Sequence, residues 1–245
     1  MFGLFKKKEV KVPQFNFESL GVDLHSHLIP GIDDGAQNIN DSLELVHRMM
    51  SLGFKKIITT PHVMADYYRN TPEIINAGLI DLKKAVKEEG WDIIIEAAAE
   101  HYLDELFESR IDNGTLMKIG DNFVLFELSF ANEPHNLVPI IQKLKDNDYK
   151  PILAHPERYA YLTLEQFENI RSWGCYFQLN TISLTGYYGK SVKKTAEELV
   201  DHAMIDFISS DMHHVRHAEA LTASLKTPYL EKLLFNYELK NKLLL

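Results

Sequence analysis

The sequence predicts one α/β domain in which seven strand–helix units close into an irregular barrel. Three observations carry this. The candidate strands are short and nearly all apolar, the pattern of a parallel sheet buried on both faces. Each is followed by a helical stretch, with no linker or break in composition between units. Most of them also end in a histidine or a carboxylate, and the C-terminal ends of barrel strands converge on one face. Seven units rather than eight make the barrel irregular. An open doubly wound sheet is the alternative, but its Gly-rich phosphate fingerprint is missing. The expected division is an N-terminal extension over 1–20 and a single barrel domain over 21–245.

Composition narrows the function. The chain has 245 residues, close to the roughly 250 of a typical barrel. A formal charge of −9 argues against nucleic-acid phosphate as the main partner. The single cysteine, Cys175, allows no intrachain disulfide and fits a reducing cytoplasm. No apolar run approaches the roughly 18 residues of a membrane span. Met1 to Lys8 is apolar and then basic, the reverse of a secretory signal. It reads as a frayed tail, or as at most a peripheral contact with an anionic membrane or a partner.

The elements follow in order. Val22 to His27 is a short buried strand ending in His-x-His, followed by the turn Asp33-Asp34-Gly35. Asn40-Asp41-Ser42 offers helix caps, with Leu43, Val46 and Met50 at helical spacing and Gly53 as the stop. Lys56 to Thr60 is a β-branched strand ending at Pro61-His62, and Val63 to Thr71 is a loop. Thr71-Pro72-Glu73 opens a helix that runs to about Gly90. Asp92 to Ala99 is a strand followed by Glu100-His101, and a short helix lies near Asp104 to Ile111. Asn122 to Phe126 is a strand ending at Glu127, followed by a helix from His135 to Asp146. Lys150 to Ala154 is a strand ending at His155-Pro156-Glu157-Arg158, and Leu164 to Trp173 is helical. Cys175 to Leu179 is a strand, with a helix near Val192 to Ala203 after it. Asp206 to Ser210 is the last strand, ending at Asp211-Met212-His213-His214, and the tail from Ala218 to Leu243 is mostly helical.

The polar residues at the strand ends point to metal. Residues i and i+2 of a strand share a face, so His25 and His27 can reach one point, and Asp211 and His213 repeat the spacing. With Asp34, His62, Glu100, Glu127 and His155 they give nine candidate ligands, drawn from six strands. Singly, His62 could be a loop residue, Glu127 a helix cap and His155 a core histidine. Burying so many ionisable groups together without a cation would be costly. Nine donors exceed the four of one zinc and suit two or three ions. Imidazole and carboxylate without thiolate favour Mn²⁺, Fe²⁺ or Zn²⁺. His47, His135 and His202 lie on predicted helices and read as solvated.

The runs Asp23-Leu24-His25-Ser26-His27, Asp33-Asp34-Gly35, Thr60-Pro61-His62, Ala154-His155-Pro156-Glu157-Arg158 and Ser210-Asp211-Met212-His213 resemble the signatures of the polymerase-and-histidinol-phosphatase (PHP) superfamily. Within it they are most similar to the manganese-dependent protein-tyrosine phosphatases of bacterial capsule and exopolysaccharide synthesis, the CpsB/CapC type. The match runs from about Val22 to about His217. It implies a distorted TIM-like (βα)₇ barrel with three metal ions. Carried over by position, it makes His25, His27, Asp34, His62, Glu100, Glu127, His155, Asp211 and His213 the ligands. Arg158 matches an arginine that binds phosphate or acts as acid. The choice of Asp34 over Asp33 comes only from the resemblance. Glu96 is a weaker rival to Glu100, on the same strand face.

The reading is therefore a phosphotyrosine phosphatase in which a metal-bridging hydroxide attacks phosphorus. Arg158 would hold an oxygen in bidentate fashion, with Arg216 or Arg69 assisting. A cysteine mechanism needs Cys-x₅-Arg, whereas the residue six after Cys175 is Thr181. The implied substrate is the Tyr-rich tail of a membrane-bound tyrosine autokinase, and the expected location is the cytoplasm. A small-molecule phosphatase such as histidinol phosphatase, and a non-catalytic module with structural metals, are the rivals. The native metal and the oligomeric state stay open.

Overall fold

The computed structural model describes residues 15–245, and the Met1 to Lys8 stretch lies outside them. Among the described residues, nine short strands and eight α-helices follow one another in a largely alternating order. Strands β1 (Val22–Asp23), β2 (Lys56–Thr59) and β4 (Ile94–Ala97) form one parallel sheet. Strands β3 (His62–Val63), β5 (Glu100–Tyr102), β6 (Phe123–Glu127), β7 (Lys150–Ala154), β8 (Tyr176–Asn180) and β9 (Phe207–Ser209) form another. Each neighbour pair is parallel.

Two of the strands expected from sequence are each followed, after a short break, by a second strand that was not expected. The run 56–60 gives only β2, with β3 following at His62–Val63, where a loop was expected to begin, and the run 92–99 gives only β4, with β5 following at Glu100–Tyr102. Pro61 has no N–H to extend the ladder, and Thr60 N donates instead to Ser26 O at 2.6 Å. Because β4 pairs with β2 and β5 with β3, the break passes to the neighbour. His62 and Glu100 therefore lie within strands, in register with each other, rather than past their ends.

The last strand returns to the first through side chains and one isolated backbone bridge rather than a continuous ladder. Asn241, in the C-terminal 3-10 turn, donates to Val22 O and Ile208 O. Asp23 Oδ1 accepts from Ser209 Oγ and Ser210 N at 2.8 and 2.7 Å. At the top, Ser26 bridges Met212 in parallel, and Asp211 N donates to His25 O. This joint is the distortion of the barrel.

The pleat sorts the core into two layers. Phe123 and Leu125 of β6, Ile152 and Ala154 of β7 and Phe207 of β9 fill the interior. The alternate residues Val124, Phe126, Leu153 and Ile208 face the helices.

Helices α1 (Ile39–Ser51), α2 (Pro72–Glu88), α3 (Phe107–Asp112), α4 (Leu137–Asp146), α5 (Leu164–Ser172) and α6 (Lys190–Asp201) connect the strands. The α1 cap is Asn38, not the expected 40–42 run: its Oδ1 accepts from Asn40 N and Asp41 N. The helical tail divides into α7 (Val215–Ser224) and α8 (Pro228–Asn236), where Thr227 caps and Pro228 starts a new helix. Among the described residues no helix is long and apolar enough to cross a membrane.

Candidate metal centre

All nine expected donors come together in one cluster, although His62 and Glu100 open strands β3 and β5 rather than ending them. They fall into four overlapping groups, whose ligand atoms lie within 4.8 Å of one another in each. The groups are His25, His27 and Glu100; His25, His155 and Asp211; His62, Glu100 and Glu127; and His27, Asp34, His62 and His213. His25 Nε2 stands 3.1 Å from Glu100 Oε2, 3.3 Å from Asp211 Oδ1 and 3.3 Å from His27 Nε2. His62 Nδ1 is 3.1 Å from Glu100 Oε2 and 3.2 Å from Glu127 Oε1. Asp34 Oδ1 lies 3.4 and 3.5 Å from His62 Nε2 and His213 Nε2.

These spacings fit divalent ions. Two donors each about 2.1 Å from a tetrahedral ion are about 3.4 Å apart. Glu100 Oε2 and Asp211 Oδ1 are also buried without a hydrogen-bond partner. Oxygens desolvated that way are expensive unless a cation meets them. Glu96, the rival on β4, pairs instead with Lys56 at 2.9 Å, away from the cluster.

The local backbone aims the donors. His155 (φ 33°) and Asp211 (φ 51°) are both left-handed non-glycine residues, directly after β7 and at the end of the β9 run. Such residues cost free energy and persist where the surroundings hold them. They turn the chain sharply enough to point both side chains back over the barrel.

Sequence reading missed the groups that orient the donors. Asp33 Oδ2 accepts from His27 Nδ1 at 2.7 Å, and Gln178 Oε1 accepts from His25 Nδ1 at 2.8 Å. Each leaves Nε2 free to face the cluster. Asn180 Nδ2 donates to Asp211 Oδ2 at 2.7 Å. Gln178 and Asn180 share the inner face of β8, the one strand of the seven without an expected donor. Neutral amides carry no signal that separates them from ordinary strand residues; their i, i+2 spacing is the only hint. Histidines 214 and 217 were also passed over: His217 Nδ1 donates to Asp211 O at 2.8 Å, and both line the cleft.

Electrostatics matches a cation site. Burial disfavours charge on His25, yet Glu100 and Asp211 outweigh it and raise its pKa to about 9. Burial likewise works against Glu100 and Asp211, but His25 and its neighbours hold both well below the carboxylate range. Positive charge is what this cluster selects.

A cleft of about 460 Å³ opens above the donors. Arg158 lines it, with its guanidinium between the rings of Phe130 and Tyr188, 4.4 Å from each centroid. Its Nη1 is 3.4 Å from Asp211 Oδ2. Glu157 points elsewhere and accepts from Ser183 Oγ and Asn180 N. Arg69 is exposed and donates to Ala65 O, and Arg216 lines a neighbouring groove beside Glu44; neither lines the cleft. His47, His135 and His202 are exposed, and Cys175 is buried.

Comparison with known proteins agrees. A family model described as capsular polysaccharide synthesis, CpsB/CapC, matches residues 21–232. The chain is 28% identical over 198 residues to the tyrosine-protein phosphatase YwqE of Bacillus subtilis, covering 80% of this chain and 78% of YwqE. It is 27% identical over 220 residues to the putative tyrosine-protein phosphatase CapC of Staphylococcus aureus, covering 88% and 82%. A solved structure from the pair YwqE of B. subtilis and CpsB of Streptococcus pneumoniae, described as metal-dependent tyrosine phosphatases, superposes with TM-score 0.82. There the identity is 27%, over 91% of this chain and 93% of that one.

Proposed function

The chain belongs to the CpsB/CapC family of capsular polysaccharide synthesis, and from that premise we propose how its site works as a metal-dependent protein-tyrosine phosphatase. The observation that carries the reading is the overlap of four donor groups on Glu100, His25, His27 and His62 beneath an arginine-lined cleft. His25, His27, Asp34, His62, Glu100, Glu127, His155, Asp211 and His213 hold two or three divalent ions, with Mn²⁺ as the native metal.

Charge supports that count. The set contains four carboxylates, Asp34, Glu100, Glu127 and Asp211, which two divalent ions balance. A third leaves an excess of positive charge for a dianionic phosphoryl group. When bound, the ions supply an ionised water at neutral pH and neutralise phosphoryl oxygens. Arg158 binds a phosphoryl oxygen that the donors do not reach. Arginine has no acceptor and cannot join the ligands, and the rings on both of its faces leave only its edge for hydrogen bonding. Asp33 and Gln178 keep His27 and His25 in the tautomer that presents Nε2. The substrate is the phosphotyrosine tail of a membrane-bound tyrosine kinase, met in the cytoplasm. An aryl oxide is stable enough to leave with little help from an acid.

The deciding experiment compares turnover of a phosphotyrosine peptide and of histidinol phosphate by Mn²⁺-loaded protein, with a chelated control. Peptide turnover that chelation abolishes is expected. Preference for histidinol phosphate would make this a small-molecule phosphatase, and no turnover of either, nor of p-nitrophenyl phosphate, would leave only a binding module.

A further inference from the structure

Large apolar side chains left at a surface mark binding sites when they gather in one place. Tyr67 is 78% exposed and Phe130 47%, and both line the metal cleft, as does Tyr68. The rings of Tyr68 and Phe130 are placed with respect to the donors. Tyr68 stacks on His62 with centroids 5.5 Å apart and planes 13° from parallel. Phe130 lies 5.7 Å from His155. These two imidazoles meet opposite oxygens of one carboxylate: His62 Nδ1 is 3.1 Å from Glu100 Oε2 and His155 Nε2 is 3.0 Å from Glu100 Oε1. One ring therefore backs the imidazole on each side of the central glutamate.

Both rings are also held in place. The Tyr68 backbone pairs in both directions with Met64, at 2.9 and 3.1 Å, and Asn70 Nδ2 fastens the same loop to His62 O at 2.8 Å. Phe130 stacks on Tyr159 at 5.7 Å and 22°. The Tyr159 hydroxyl in turn accepts from Leu128 N at 3.0 Å. Rings ordered before a ligand arrives lose little entropy when it binds.

We propose that Tyr68 and Phe130 form an aromatic clamp that selects aryl over alkyl phosphate esters at this site. The clamp rests on the phosphatase reading above. With the phosphoryl group over the donors, the ester's organic group must pass out through the mouth these rings line. A phenyl ring there gains a stacked contact on Tyr68 and an edge contact on Phe130, whose faces Arg158 and Tyr159 already occupy; an alkyl chain of similar length gains only the area it covers.

The test uses the whole 245-residue chain loaded with Mn²⁺, together with Tyr68→Ala, Phe130→Ala and the double variant, with Tyr68→Phe and Phe130→Tyr as aromatic replacements. Calorimetry gives the affinities of phenylphosphonate and butylphosphonate, which bind without turnover, and elemental analysis gives metal content. The parent should prefer phenylphosphonate about tenfold. Each alanine variant should lower that preference by about threefold and the double variant should abolish it, at unchanged metal content, and the aromatic replacements should restore it. Parallel kcat/KM values on phosphotyrosine and phosphoserine peptides of one sequence should move in the same ratio. A parent that binds both phosphonates alike overturns the clamp. So do alanine variants that weaken both equally, because the rings then only brace the imidazoles. Variants with unaltered preference also overturn it and leave pocket depth as the selector. Parent turnover of the phosphotyrosine peptide reports on the phosphatase reading separately, so one idea can fail without the other.

Discussion

Arg158 shows how a single side chain is committed to a role by what surrounds it. Its guanidinium packs on the rings of Phe130 and Tyr188, and it pairs with Asp211, itself a proposed ligand, at 3.4 Å. The pairing with Glu157 that would have made it a loop brace is absent, since Glu157 bonds Ser183 and Asn180. Arg158→Ala should keep its metal content and lose roughly two to three orders of magnitude in kcat, the usual effect of removing one donor to developing charge. Lysine should recover part of that, because a point charge lacks the planar fork. Near-parental kcat/KM in Arg158→Ala would assign the phosphate to other groups. Cys175 is the contrasting case. Burial pushes its thiol far above the usual range, so no thiolate is at hand. Cys175→Ser should turn over p-nitrophenyl phosphate within about twofold of the parent, and a folded but inactive Cys175→Ser would end the metal-only reading. At this scale the ionisable donors were legible because type and spacing announce them. The division of labour between Asp33 and Asp34 was not, since adjacent aspartates look alike until burial separates them. Asp33 is buried against His27, and Asp34 reaches the cluster from a half-exposed position. Asp33→Ala should weaken metal binding about 10–100-fold, as loss of a partner that orients a ligand histidine does, measurable by competition with a metal chelator.

The elements show the same contrast between pattern and context. Apolar periodicity placed the seven main strands, but nothing in the runs 56–60 and 92–99 revealed that a second short strand, β3 or β5, would follow each. Pro61 was visible; that β4 would break because it pairs with β2 depends on register, which a single sequence does not contain. The joint between β1 and β9 was equally hidden. It depends on Asn241 and Ser209, residues of no distinctive type that matter only because the chain's end returns to its start. The turn after β1 was better marked, because Gly35 closes the acidic run. A Cβ on Gly35 would stand 2.2 Å from His27 O and 2.4 Å from His27 Cβ. Backbone cannot yield by that much without moving the strand end. Gly35→Ala should therefore displace His27 and Asp33 together, lowering bound metal and melting temperature in one step. A Gly35→Ala protein with full metal content and parental activity would show that the turn can shift without carrying His27.

The whole molecule is closed by groups that repel or compete when no cation is near. Four carboxylates and five imidazoles meet where the strand ends converge, and the β1–β9 joint lies just beneath them. The fold's dependence on metal should therefore vary with pH in a definite direction. His25 has its folded-state pKa raised to about 9, with burial opposing and Glu100 and Asp211 prevailing. Its unfolded value is about 6.5. In metal-free protein its proton stabilises the fold fully below about pH 6.5, and that contribution is lost as pH rises through about 9. Glu100 and Asp211 have lowered values. Their contribution is present above the ordinary carboxylate range and is lost only as pH falls through their folded-state values. From neutral pH upward the metal-free cluster thus keeps its negative charge and sheds the protons that offset it. Divalent ions must displace those same protons, so their affinity grows with pH. Saturation at about 100 times Kd contributes about 2.7 kcal/mol, or roughly 5–10 °C in Tm for a chain of this size. The Tm gap between Mn²⁺-loaded and chelated protein should widen steadily from about pH 6 to about pH 9. A gap that stays constant or narrows over that range, with metal loss verified at each pH, would mean that the ions do not replace protons on these histidines and that the cluster holds its fold by other means.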